Sequence, residues 1–197
     1  RYGDDGGKDT LEQYQMKLEQ AADTFEVLQL FVEGHNEEFQ LLLSRQPSHV
    51  TSIDLLHHAV LTLLVICEDT DIIESMLDEE ICLAQQIFSF LAESCYGPCI
   101  ENQIAIATKL DAVVAVRNVL KLTLPMERND WSESEINRFM LMIKLKLAAM
   151  QLIFACFEGH TNEDDVVTIL KGKLEPTLLS QLEITLERMA RRRIAHL

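Results

Sequence analysis

Five cysteines (67, 82, 95, 99 and 156), six histidines and a run of acids after residue 67 are the side chains in this 197-residue chain best equipped to bind metal or form covalent bonds. Cys95-Tyr96-Gly97-Pro98-Cys99 separates its thiols by three residues, where the thiol redox motif needs two. Zinc would need two further ligands at compatible spacing, and none of His35, His57, His58 or His160 has a second cysteine beside it. Adjacent helical residues point about 100° apart, so His57 and His58 do not converge on one ion; one of them reads as a hydrogen-bonded core histidine. Cys156 lies in a hydrophobic run without the positive surroundings of a nucleophile. Asp69-Thr70-Asp71 opens like a calcium loop, but Glu74 stands where glycine is required and no twelve-residue ligand series follows. There is no phosphate-cradling glycine loop and no His-Glu-x-x-His. The expectation is no catalytic residue, no cofactor and no metal: the chain does not read as an enzyme.

Charge says more about partners. The chain carries 32 acids and 17 bases, a net charge of −15, with 48% hydrophobic residues. Residues 1–100 hold 19 acids and 4 bases; residues 101–197 hold 13 of each. This balance excludes a nucleic-acid partner, which needs a basic face, and an anionic membrane surface would repel it. The acidic half is either a solvated face or a docking surface for a basic neighbour. The odd cysteine count and the polar opening Arg-Tyr-Gly-Asp-Asp-Gly-Gly fit a reducing cytosolic compartment. The missing initiator Met predicts a fragment of a longer protein.

The elements that must position these side chains are helices. Thirty leucines against 7 glycines and 4 prolines favour helix, and no long stretch alternates with a period of two. After a flexible segment 1–9, a first helix is expected over Leu11–Glu33, opened by a capping box of Thr10 and Gln13 and closed by Gly34. Its seam runs Leu11, Tyr14, Leu18, Ala21, Phe25, Leu28, Val32. Asn36 caps a short helix to about Arg45. A third helix over 52–67 is so apolar that it reads as central and nearly buried. A helical turn at 71–77 and a helix over 79–95 follow, the latter burying Ile81, Ala84, Phe88, Leu91 and Cys95. Gly97 stops that helix and Pro98 starts the next, which is broken near Thr108–Leu110. Pro125–Asp130 reads as a loop, and Ser132 with Glu135 as a second capping box. Of residues 139–157, sixteen are hydrophobic. Lys144 and Lys146 near the middle argue against a membrane span, and the segment reads as a bundle core. Helices at 163–171, stopped by Gly172, and 177–195 complete the chain.

Val32-Glu33-Gly34-His35 and Phe157-Glu158-Gly159-His160 echo each other, as stacked helix–turn–helix units would. Leu91-Ala92-Glu93-Ser94-Cys95-Tyr96-Gly97-Pro98-Cys99-Ile100-Glu101-Asn102-Gln103, with its Gly-Pro-Cys and the Asn-Gln that follows, resembles a signature segment of the intracellular calcium-release channels. Leu28-Gln29-Leu30-Phe31-Val32-Glu33-Gly34-His35-Asn36-Glu37-Glu38-Phe39-Gln40 is similar to a second block of that family, and Asp111-Ala112-Val113-Val114 to a third. Together they resemble the RIH-associated domain of inositol-trisphosphate and ryanodine receptors.

That resemblance implies an all-α fold, armadillo-like or an irregular antiparallel helical bundle, with residues 10–197 as one domain. It implies a cytosolic module on an internal calcium-store membrane, coupling ligand-sensing regions to a pore. Its partners would be other domains and neighbouring subunits of a homotetrameric channel, without nucleic acid and without membrane insertion of this segment. The motif residues are Gly34, His35, Asn36, Gly97, Pro98, Cys99, Asn102 and Gln103, all of scaffold chemistry. Residues 1–100 offer only Arg1, Lys8, Lys17 and Arg45, too few for a trisphosphate pocket. Glu37, Glu38, Glu79 and Glu80 are the candidate interface acids. The competing reading is a stand-alone helical scaffold that binds partner proteins in a groove.

Overall fold

The computed structural model describes residues 5–47, 50–124, 131–161 and 165–174. These residues form helices and no strand. In order they are α1 (Asp5–Val32), α2 (Glu37–Leu42), α3 (Leu55–Ile66), α4 (Thr70–Ser75), α5 (Asp78–Glu93), α6 (Ile100–Ile104), α7 (Val113–Lys121), α8 (Glu133–Phe157) and α9 (Asp165–Lys173). A π-helical turn, Ala105–Lys109, continues α6 and supplies the break expected near Thr108–Leu110. The fold is all-α.

α5 is the centre. Its Ile81, Leu83, Ala84, Ile87, Phe88, Phe90, Leu91 and Ala92 are buried, and it lies between α1 on one side and α8 on the other. The three helices run parallel. Tyr14 and Gln15 bond to Glu80 and Glu79, Gln29 bonds to Gln86, and Phe25 meets Phe90 at 5.5 Å, so both chains advance together. Arg138 meets Asp78 near the starts of α8 and α5, while Glu158 meets Gly97 past their ends. The parallel row departs from the antiparallel bundle that was one of the two arrangements expected. Successive elements return between the members of the row: α3 begins beside α2, where Leu55 N–H donates to Leu43 O, and α7 ends against α8.

Four local expectations change. α1 starts at Asp5, so Thr10 lies inside the helix and its capping box with Gln13 does not open it. α3 buries only Leu56, Ala59, Val60 and Leu63, leaving Leu61 and Val65 exposed, so apolar composition overstated its burial. His57 and His58 are both exposed, their rings edge to face at 6.0 Å; neither is a core histidine. Gly172 also falls inside α9, which continues to Lys173. The expected loop at Pro125–Asp130 and helix at 177–195 lie outside the described residues.

α8 is, among the described residues, the helix long and apolar enough to cross a membrane by length and composition. One face is committed to this chain: Met142, Leu145, Ala149, Leu152, Ile153 and Cys156 are buried. Ser132 accepts from Glu135 N–H and Glu135 accepts from Ser132 N–H, so the expected capping box forms.

Candidate functional site

The parallel row brings the ends of α1, α5 and α8 to one place, and each chain leaves its helix through a left-handed glycine: Gly34 (φ +87°), Gly97 (φ +104°) and Gly159 (φ +77°). The turns stack. A Cβ on Gly97 would lie 2.5 Å from His35 Cβ, and a Cβ on Gly159 would lie 2.6 Å from Pro98 Cγ. Glycine is therefore required at 97 and 159 for space as well as φ, whereas Gly34 has open surroundings and answers to φ alone. His35 itself sits at φ +60°, held between Glu93, 3.9 Å away, and the Tyr96 ring at 5.9 Å.

A helix end leaves about four carbonyls without intrahelical partners. Here amides of other helices take them. Gln40, buried on α2, donates to Glu93 O and Tyr96 O, both at 2.8 Å. Asn102 donates to Ser94 O (2.9 Å) and to Gln40 O (3.1 Å). Gln103, fully buried, donates to Cys95 O (3.2 Å), Ala155 O (2.8 Å) and Glu158 O (3.1 Å), joining the end of α5 to the end of α8. Its Oε1 lies 2.9 Å from His160 Nε2. An amide oxygen can only accept, which puts the proton on Nε2. Glu158 closes the circuit by accepting from Gly97 N–H at 2.9 Å. Asn36 caps α2 through Phe39 N–H.

The structure thus gathers Gly34, His35, Asn36, Gly97, Pro98, Cys99, Asn102 and Gln103 around one joint. Pro98 precedes rather than begins α6; buried Cys99 is its N-cap. Gln40, Glu158, Gly159 and His160 belong to the joint too. The Gly-His echo was the available signal for the last two; nothing in the sequence marked Gln40 or Glu158. Cys95 lies against Cys156, and burial first, then that neighbouring thiol, hold Cys95 well above the usual thiol range. Burial pushes Glu93 up, His35 opposes this, and Glu33 adds to it. Protonated thiols and tied amides make a scaffold, not a nucleophile.

The four candidate interface acids do not share a patch. Glu37 and Glu38 are exposed in the first turn of α2, at the joint end. Glu79 and Glu80 start α5, about 20 Å away along its axis, and accept from Gln15 and Tyr14 of α1. Asp69, read as a false calcium ligand, caps α4 through Ile72 N–H. No group of histidine, cysteine and carboxylate that could hold a metal occurs among the described residues. Beyond the joint, a cleft of about 480 Å³ lies near the start of α8, walled by Leu122, Leu124, Trp131, Phe139 and Met142. Its Arg138 is already engaged by Asp78, Glu74 O and Met76 O, so among the described residues it holds no free cation for an anionic ligand.

Comparison with known proteins places the chain in a family. Residues 15–120 match the RyR and IP3R Homology associated family. Over 150 residues, 74% of the chain, it is 26% identical to the inositol 1,4,5-trisphosphate receptor itr-1 of Caenorhabditis elegans. The matched part is 5% of that protein, so the chain spans a small fraction of the length of the curated relative it matches. With more than half of its length, from within α1 through most of α7, matching that family, the chain belongs to the RyR and IP3R Homology associated family.

Proposed function

We propose that the chain is a non-catalytic, cytosolic helical module of an intracellular calcium-release channel, coupling ligand-sensing regions to the pore. The observation that carries this reading is the joint: the ends of α5 and α8 are tied by amides and the turn after α1 packs against them through His35, so that a displacement of one helix is passed to the others rather than absorbed. Residues 10–197 act as one unit. Its partners are other domains and neighbouring subunits of a homotetrameric parent on the cytosolic face of a calcium-store membrane. Glu37 and Glu38, exposed at the joint end, meet a basic neighbouring domain, with Glu79 and Glu80 contributing field rather than contact.

The test is made in the full-length parent channel. Gln103→Glu keeps volume and removes the donors to Cys95, Ala155 and Glu158. Ligand affinity should be retained while ligand-evoked calcium release falls at least about tenfold in sensitivity, a coupling change of about 1.4 kcal/mol. Unchanged release would overturn the coupling role. Charge reversal of Glu37 and Glu38 should weaken association with the neighbouring domain, and more so at low salt; equal association at all salt concentrations leaves a solvated face.

A further inference from the structure

α1 stands at one edge of the row. Its seam of Leu18, Ala21, Ala22, Phe25, Leu28 and Val32 packs inward. At 100° per residue, Met16, Val27, Leu30 and Phe31 fall on the opposite half. They are exposed by 50, 51, 57 and 65% of their surface. Val27, Leu30 and Phe31 are spaced i, i+3, i+4, the footprint of one helix face on another. The edge unit of a stack needs a polar outer side to stand alone in water, and on α1 that side is interrupted by these apolar residues toward its C-terminal half.

Its charges state what would cover it. Glu12, Glu19, Asp23 and Glu26 share that half of α1, all exposed, and none forms an ion pair among the described residues. Lys17 is the single base between Lys8 and Arg45. An apolar foot beside four carboxylates that make no ion pair among the described residues, over about 21 Å, is complementary to a helix with apolar residues at i, i+3, i+4 and Lys or Arg along its flanks.

We propose that the outer face of α1 is the seat of a basic amphipathic helix from the parent polypeptide outside residues 1–197. The source follows from the match: the chain corresponds to 5% of its relative, and the edge of a stacked row is where the next helical unit adds. This rests on the reading above that the chain is one module of a larger protein.

Zero-length carbodiimide cross-linking of the full-length parent tests it, because that reagent joins only carboxylates and lysines already in contact. Peptide mapping should find Glu12, Glu19, Asp23 or Glu26 joined to lysines of an amphipathic helix beyond residues 1–197. The double variant Val27→Gln/Phe31→Gln should cut that yield at least about fivefold. Leu61→Gln/Val65→Gln, exposed on α3, should leave it unchanged, and an unaltered limited-proteolysis pattern controls for misfolding. The proposal is overturned if the carboxylates stay unlinked, link to a separate protein or to a non-helical basic segment, or link equally in the Val27/Phe31 variant. Release measured on the Gln103→Glu channel is a separate readout, so either idea can fail without the other.

Discussion

At the scale of the residue, the joint distinguishes two kinds of glycine. Gly34→Ala should cost about 1–2 kcal/mol, the strain of a left-handed alanine, because nothing lies near its added methyl. Gly97→Ala carries the same strain and drives a methyl to 2.5 Å from His35 Cβ. Its loss, measured by urea unfolding, should exceed that of Gly34→Ala by at least about 1 kcal/mol. Gln103→Leu, close in volume, leaves the carbonyls of Cys95, Ala155 and Glu158 without their donor. About 2–4 kcal/mol should be lost, more than for a typical surface change. Lys146 offers a test by pH. It is buried on α8, its Nζ donates to Leu120 O and Leu122 O, and burial lowers its pKa from 10.5 to about 8. Between those values the unfolded chain binds more protons than the folded one, so this residue's contribution grows as pH rises from about 8 to 10.5 and is absent below. Buried thiols oppose it above about pH 9, since burial raises Cys67 from 9.0 to about 12 and the folded state then holds the extra proton. The unfolding free energy of wild type minus that of Lys146→Met should therefore climb between pH 8 and 9, by at most about 1.4 kcal/mol per unit. The sequence already identifies the amides Asn102 and Gln103 as capable of tying elements together. It does not identify their acceptors, because a backbone carbonyl carries no residue-specific signal and Ala155 lies 52 positions from Gln103.

At the scale of the element, capping across helices recurs. Asn118 of α7 donates to Cys67 O and Glu68 O at the end of α3. Arg138 of α8 takes Glu74 O and Met76 O at the end of α4, and Lys146 takes the end of α7. Asn118→Ala should lower stability by about 1 kcal/mol and speed amide exchange in the last turn of α3 while leaving α5 protected; uniform acceleration would mean that α3 does not open separately. The helix stops at Gly34, Gly97 and Gly159 were legible because glycine followed closely by Asn or Pro is local chemistry, whereas Gly172, without either so close, is carried inside α9. Which helix is central was not. α3 and α8 are richer in apolar residues than α5, yet α5 has neighbours on both sides and α3 leaves Leu61 and Val65 in water. Burial depends on the number of neighbours, and periodicity reports only how wide the apolar face is.

At the scale of the whole molecule, charge opposes folding in one half only. Nineteen acids against four bases in residues 1–100 repel one another, and few of the described ones are paired. Raising salt from about 20 to 300 mM shortens the screening length from roughly 20 to 6 Å. The thermal midpoint should rise over that range, and a fall would mean that attractive pairs dominate. The all-α class was legible from composition and breakers, while the parallel row was not, since direction is set by the lengths of the returns through α2–α4 and α6–α7. That row gives the molecule an electrical axis. α1, α5 and α8 aim their partially negative carbonyl poles at the joint, where Glu33, Glu93 and Glu158 add charge of the same sign. At the opposite end the positive poles of α5 and α8 are matched by Asp78, Glu79, Glu80, Glu133 and Glu135 in their first turns. The poles therefore oppose the nearby acids there and add to them at the joint, so among the described residues the helix dipoles strengthen the negative field at the joint end. A cationic neighbour is turned toward that end before it touches the protein, and docking begins with orientation already chosen.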